Sequence, residues 1–370
     1  MQCLLKGKEM LNTTDDLPLY KQIGQYFKRQ IESGDLSKAD WLPPLAVVAK
    51  KFKVNYRTAR QAYEMLEGIG VVQIEGGKAK VVSDNSQRSE VHTGNIAFVS
   101  CNPTIGTAEG DEYATRIFCA VTETASYLGY NLHVVNLRTV SGLNRLLKGK
   151  WTGLIFSIPS LAHAEAIPFD DIADVPKVFT TPVRPGDISV QSDDFRGIEL
   201  ALDHLYELGH RKIAFLAGPL RDLAGQNRLE AYCRGMSKYG LKLEPEWLVQ
   251  YPDYFLEKTE DQEMIYKRLF GGQSSPTAVI CAGYYLTLGL MNALQRHQVS
   301  IPGDVSIVGY DDPKTARFLN PPLTTIHQPL ERIGGIAVEL LEKMIKGQKV
   351  ESVVLPVELI VRASTTSVVK

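Results

Sequence analysis

Two groups of side chains in this sequence have the types and spacing to do chemistry. The first runs from Asn55 through Tyr56, Arg57, Thr58 and Arg60 to Gln61, followed at a distance by Lys78 and Lys80. Arginine and glutamine on one face of a helix can make paired hydrogen bonds to base edges in a DNA major groove, and lysines can neutralise phosphates. The second group is scattered over the rest of the chain: Asn102, Thr181, Arg228, Gly283, Tyr284 and Asp311. All but Arg228 stand just beyond a short apolar run, where the loops after strand C-termini in α/β proteins collect ligands. A guanidinium or a carboxylate there can hold hydroxyl or carboxylate oxygens of a small molecule. The sequence has no Walker phosphate loop, no HExxH pair, no GxSxG elbow and no CxxC, so neither an enzyme nor a metal or cofactor site is expected. Gly271-Gly272 and Gly334-Gly335 lack the strand–loop–helix setting of a phosphate loop, and His210 and His327 read as structural hydrogen-bonding residues.

The first group must be positioned by two short helices. Pro43 and Pro44 suit the mouth of the first, whose apolar stripe is Val48, Ala49 and Phe52. Asn55 is a good cap for the second, its side chain accepting from the Thr58 N–H. Ala59, Ala62, Tyr63 and Leu66 form that helix's buried stripe, so Arg57, Arg60, Gln61 and Glu64 project outward. Tyr56 either touches DNA or packs inward. Residues 71–74 and 80–82 flank Glu75-Gly76-Gly77 and read as a two-stranded hairpin with Lys78 and Lys80 at its tip or second strand. Helix, turn, helix and hairpin make a winged helix. An amphipathic helix over 20–33, with Ile23, Tyr26, Phe27 and Ile31 on one face and Gly34 as its stop, precedes it.

At 370 residues the chain calls for two or three domains. Its net charge of −1 excludes a uniformly basic nucleic-acid binder. Yet residues 17–82 hold eleven Lys/Arg against six Asp/Glu, a surplus of five on one small module. The five cysteines are widely spaced and odd in number, which fits buried free thiols in a reducing compartment. No signal peptide or membrane-length apolar run occurs, so a cytoplasmic protein is expected.

From Gly94 onward short apolar runs alternate with helical segments: NIAFVS, NLHVVN, TGLIFSI, VPKVFTT, SVQSD, RKIAFLAG, TAVICAG and VSIVGYD. Helices are expected over 111–128, 196–208, 226–239 and 286–296. Strands alternating with helices imply parallel sheets covered on both faces. So many runs suit two lobes with a cleft between them. The domain plan is then a flexible leader (1–16), a winged helix-turn-helix (17–82), a linker (83–93) and a two-lobed domain (94–370).

Residues 17–82 resemble the DNA-binding domain of the GntR family. The resemblance rests on Pro18-Leu19-Tyr20-Lys21-Gln22-Ile23, Ile31-Glu32-Ser33-Gly34, Leu42-Pro43, Ala49, Val54, Thr58, Ala62 and Leu66. It departs at Pro44-Leu45-Ala46, at Asn55-Tyr56 and at Ala79, so DNA binding is implied but the family's base contacts are not. Residues 94–366 resemble the LacI-type effector domain, of the periplasmic-binding-protein fold, through Ser192-Asp193, His204 to Pro219, Arg228 with Tyr232, Ile301 to Asp312 and the stretch from Pro321 to Thr365. The joint architecture is similar to the arabinose-repressor type of regulator. The resemblance implies an α/β fold and a homodimer that binds double-stranded operator DNA and dimerises through residues 94–370. It also implies a small-molecule effector held by Arg228 and Asp311, a carbohydrate by first choice; a nucleobase or other small metabolite, or a degenerate pocket, is the alternative. An ion pair between lobes is the alternative role for Arg228, and a cap or turn role for Asp311, although Asp312 is the better cap candidate. Gly283-Tyr284 replaces the family's polar pair, so Tyr284 or Tyr285 either stacks on the ligand or fills the pocket. A second reading of the whole chain is a cytoplasmic sugar-binding or sugar-modifying protein with an N-terminal interaction module.

Overall fold

The computed structural model describes residues 19–68, 71–75, 78–81, 94–101, 111–158, 167–184 and 186–368. The expected leader and linker, Gly76-Gly77 and Asn102 lie outside them. The chain divides into two units, residues 1–93 and 94–370.

In the first unit, α1 (Leu19–Glu32) is amphipathic and Gly34, at φ 84°, turns the chain beyond its end. Helices α2 (Leu45–Phe52) and α3 (Tyr56–Gly68) follow, then the strands β1 (Val72–Glu75) and β2 (Lys78–Val81). Ile23, Phe27, Val48, Ala59, Ala62 and Leu66 are fully buried among them. The rings of Tyr26, Phe27, Phe52 and Tyr63 meet edge to face with centroids 5.1–6.3 Å apart, a geometry that adds to their area burial. The strands pair antiparallel, Gln73 opposite Lys80 and Ile74 opposite Ala79. Residues 39–42 lie along β2 as well, with Leu42 N–H donating to Ala79 C=O and Trp41 bridged to Lys80.

The second unit is built from two main sheets, with a two-stranded ribbon between them in the chain's path. The first lobe has β3 (Asn95–Ser100), α4 (Glu112–Tyr127), β4 (Asn131–Asn136), α5 (Val140–Lys148), β5 (Gly153–Ser157) and β6 (Lys177–Phe179), in the order β4-β3-β5-β6, all parallel. The chain leaves it through β7 (Val190–Ser192). The second lobe has α6 (Asp194–Glu207), β8 (Ile213–Ala217), α7 (Leu223–Lys238), β9 (Leu248–Gln250), α8 (Thr259–Phe270), β10 (Ala278–Cys281), α9 (Tyr284–Arg296), β11 (Ser306–Tyr310) and β12 (Thr324–His327). Helix α10 (Leu330–Ile345) returns to the first lobe, where Leu330, Ile333, Ala337 and Leu341 pack with Ile96 and Phe98. Strand β13 (Val353–Leu355) then pairs with β7, and β14 (Glu358–Ile360) ends in the second sheet. That sheet has the order β14-β12-β11-β10-β8-β9.

Both sheets are covered on both faces, as continuous apolar runs such as Ile213–Ala217 require. The expected parallel sheets are present, and β14 departs from them only as an antiparallel edge strand on β12. The three crossings between lobes are tied together: Asp193 N–H donates to Leu355 C=O at 2.9 Å, and the Ser192 hydroxyl donates to Gln328 Oε1. Among the described residues no helix is long and apolar enough to cross a membrane, and no cluster of His, Cys, Asp or Glu could hold a metal. The thiols also depart from expectation: Cys101 and Cys281 are buried, Cys233 is half-buried and Cys119 is exposed.

Candidate nucleic-acid interface and ligand cleft

The turn between α2 and α3 hinges on Lys53, which takes the left-handed conformation at φ 52° and lets Val54 N–H reach back to Ala49 C=O. Asn55 then caps α3: its Oδ1 accepts the Thr58 N–H at 2.7 Å and the Thr58 hydroxyl at 3.0 Å. Thr58 is thus committed to the cap. Tyr63 sets the angle between the helices from the buried side, its hydroxyl donating to Pro43 C=O at 2.5 Å. With that face sealed, Arg57, Arg60, Gln61 and Glu64 are exposed. Tyr56 is 57% exposed, which removes the inward-packing alternative. Arg60 makes a 2.8 Å pair with Glu64 one turn on, leaving Arg57 the freer cation of the two.

On the wing, Ala79 and Val81 point into the core while Lys78 is exposed and Lys80 half-buried. Lys80 Nζ lies 5.7 Å from the centre of the Trp41 ring. Trp41, 44% exposed, belongs to this face, and sequence reading missed it because residues 39–42 are too short to show a strand period. Lys51, by contrast, is held inward by the Tyr26 hydroxyl at 2.6 Å.

In the second unit the loops beyond the sheets surround a cleft of about 790 Å³. Of the sequence candidates, Thr181, Arg228, Gly283, Tyr284 and Asp311 all line it; Asn102 lies outside the described residues. Arg228 sits in the second turn of α7 and is buried. Its Nε donates to Asp194 Oδ1 at 2.7 Å and its Nη1 to Ala282 C=O at 2.8 Å, while the Tyr310 ring lies 3.7 Å beneath the guanidinium. The Tyr310 hydroxyl completes the group by donating to the same Asp194 oxygen at 3.2 Å. Gly197 makes room for this ring, since a Cβ there would collide with the Tyr310 hydroxyl. Burial opposes the Arg228 charge, but Asp194, Tyr310 and Asp311 outweigh it and hold the guanidinium ionised far above its ordinary range. The pair lies within one lobe, which corrects the ion-pair alternative between lobes. Nη2 has no acceptor among the described residues and is the donor left for a ligand.

Asp311 follows β11 directly, at φ 93°. Its Oδ2 accepts the Tyr284 N–H at 3.2 Å, and its Oδ1 accepts from Gln328 Nε2 at 2.6 Å. It therefore caps α9 while still facing the cleft. Asp312, the expected cap, instead pairs with Arg362 at 2.7 Å and His327 at 3.3 Å. Tyr284 fills space: it is 7% exposed and its hydroxyl meets the Thr315 hydroxyl at 2.7 Å. Tyr285 is the wall residue, its ring 4.6 Å from that of Phe255. Tyr113 and Tyr254 add two more aromatic walls, and the Tyr254 hydroxyl donates to buried Asp222. Helix α9 starts at Tyr284, two residues before the expected start, because Asp311 supplies its cap from another strand.

From the first lobe, Asp111 caps α4 through the N–H groups of Tyr113 and Ala114 at 3.2 and 3.4 Å. Burial, with the charge of Asp311 facing it, pushes its carboxyl up to about 6. Burial also raises Tyr285 to about 12, with help from Asp111. Thr181, beside the Tyr113 hydroxyl, donates to Thr180 C=O at 2.9 Å. His210 is structural as expected, bridging Thr277 Oγ1 and Thr366 C=O.

Comparison with known proteins bears on both units. Residues 19–82 match the model of bacterial regulatory proteins of the gntR family, and residues 202–365 match that of a periplasmic binding protein-like domain. An HTH-type transcriptional repressor PurR of Pasteurella multocida (strain Pm70) is 30% identical over 272 residues, spanning 71% of this chain and 80% of that one. Its namesake in Vibrio vulnificus (strain CMCP6) is 33% identical over 246 residues, 63% of this chain and 72% of that one. A LacI family transcriptional regulator from Mycobacterium smegmatis superposes with a TM-score of 0.63 at 26% identity, over 74% of this chain and 99% of that one. A lac repressor dimer bound to operator and the anti-inducer ONPF gives 0.63 at 25% identity, over 76% and 97%.

Proposed function

Because this chain belongs to the LacI-type family of transcriptional repressors and carries a GntR-family helix-turn-helix at its N-terminus, we propose that it represses as a homodimer on operator DNA and is switched by a small ligand in its cleft. A solved relative is a dimer on its operator, and that supports the assembly assigned to this chain. Tyr56, Arg57 and Gln61 read base edges, Arg60 assists, and Lys78 and Lys80 meet phosphates; Asn55 and Thr58 shape the helix start.

The observation that carries the ligand reading is the fixed pair of Arg228 and Asp311 on the cleft floor. Both are immobilised by protein partners before a ligand arrives, so little ordering is required on binding. A carboxylate with each oxygen already accepting one protein donor keeps further lone pairs for hydroxyl groups. The guanidinium Nη2 supplies the complementary donor. We assign a polyhydroxylated ligand, a carbohydrate, to this pair. A nucleobase is the second reading, favoured by the rings of Tyr113, Tyr254, Phe255 and Tyr285, between which a flat heterocycle would stack.

A thermal-shift screen of the full chain against pentoses, hexoses, sugar acids and nucleobases separates the two. A ligand at a hundred times its dissociation constant stabilises by about 2.7 kcal/mol. Hits confined to sugars support the first reading; hits confined to bases replace it with the second.

A further inference from the structure

Glu112 opens α4 on the first lobe, and both of its carboxylate oxygens accept the backbone N–H of Lys314, at 3.0 and 3.1 Å. Lys314 belongs to the second lobe, at the start of the short turn Lys314–Phe318 and three residues beyond Asp311. The loop between is stiff. Asp311 and Asp312 both have positive φ, 93° and 40°. Asp312 is gripped by Arg362 and His327, Pro313 has a restricted backbone, and Asp311 is held by Gln328 and the Tyr284 N–H. One end of a stiff loop thus presents a carboxylate to the cleft, and the other end is grasped across the mouth by the opposite lobe. The neighbouring residue works the other way: Asp111 faces Asp311 across the same mouth, and two carboxylates repel.

We propose that Glu112 is a latch, a positioning residue that holds the two lobes closed through the Lys314 N–H and so sets the open–closed balance on which a ligand acts. The inference rests on reading the cleft as the effector site. A contact made only in the closed state biases the equilibrium toward closure, and a ligand that binds the closed state then gains apparent affinity. Because Lys314 and Asp311 share one loop, a ligand that engages Asp311 acts on the latch directly.

Amide hydrogen exchange of the full chain, resolved to Lys314 by mass spectrometry, tests this without any ligand. Glu112→Ala should speed exchange at Lys314 by about threefold to tenfold, the range for losing one modest hydrogen bond. Glu112→Gln should fall between, because its single carbonyl oxygen replaces one of two acceptors. The cleft-facing amides of Tyr284 and Tyr285 should quicken with Lys314, while those of β8 and β10 stay as they are. An unchanged rate at Lys314 in Glu112→Ala would overturn the latch. So would an equal acceleration in β8 and β10, which would make Glu112 a support of the fold at large. A ligand screen without hits would defeat the effector reading and leave this exchange result standing.

Discussion

In the head, Arg57, Arg60 and Gln61 stand in solvent on a helix whose opposite face is sealed. In the sensor, Arg228 is buried, ion-paired and stacked on Tyr310 before any ligand arrives. The same residue type serves two physical ends. An exposed arginine keeps its rotamer freedom and its hydration until it meets DNA, so its energy is spent on contact with a partner. A buried arginine has already lost both, and its partner carboxylate depends on it. Substitution should therefore act on binding in the first region and on folding in the second.

The largest effect is expected at Arg228. Arg228→Ala leaves the Asp194 carboxylate buried without its counter-charge, a loss of roughly 3–5 kcal/mol. Urea denaturation of the sensor should show it as a lower midpoint, and a midpoint within error of wild type would remove the contrast between the two regions. Arg57→Ala should leave the midpoint in place and weaken operator binding by about 1–3 kcal/mol if the guanidinium reads a base. Arg60→Ala should cost less, because Arg60 is already engaged by Glu64. Fluorescence anisotropy across a salt series separates the two, since a lost phosphate contact flattens the salt slope. Equal losses for Arg57→Ala and Arg60→Ala would show that the Glu64 pair opens freely on DNA.

Asn55→Ala removes the cap of α3 and should lower the head's stability by about 1 kcal/mol, read as a lower melting temperature of its transition. A further effect belongs to pH. Asp111 is held at about 6 in the folded sensor against an ordinary 3.8. The native state therefore binds this proton more tightly than the unfolded state does. Its contribution to stability is full below about 3.8 and is lost as pH rises through about 6. Asp111→Asn should flatten the stability profile across that window relative to wild type; parallel profiles would mean that neither burial nor the facing Asp311 raises the Asp111 carboxyl.

Local pattern explains which of these features were legible. The stripe of Ala59, Ala62, Tyr63 and Leu66 recurs at helical spacing over about two turns and the Asn55 cap lies one turn before it, so sequence alone assigns both the buried face and the exposed arginines. The strands Ile213–Ala217 and Ser306–Tyr310 are equally plain, because buried parallel strands are continuously apolar. The partners that define the cleft are different. Asp194 and Arg228 are 34 residues apart, Asp311 and Gln328 are 17 apart, and Asp312 meets Arg362 across the second sheet. No periodicity connects such pairs; only the packing of α6 on α7 and the crossings between lobes does. The strands β13 and β14 escaped for a related reason. Three residues each, Val353–Leu355 and Glu358–Ile360, are too few to show alternation.

The central claim is that the fixed pair of Arg228 and Asp311 on the cleft floor governs what the exposed arginines do on DNA. The direct measurement is anisotropy of a labelled fragment from the chain's own promoter, titrated with the full chain in the presence and absence of a ligand that shifts its melting temperature. The expected result is a ligand-induced change of about tenfold in DNA affinity, within the usual range of allosteric coupling. Arg228→Lys should keep DNA binding and lose that change, because an ammonium cannot reproduce the fixed fork. A DNA affinity indifferent to every stabilising ligand, or a full response in Arg228→Lys, would contradict the account.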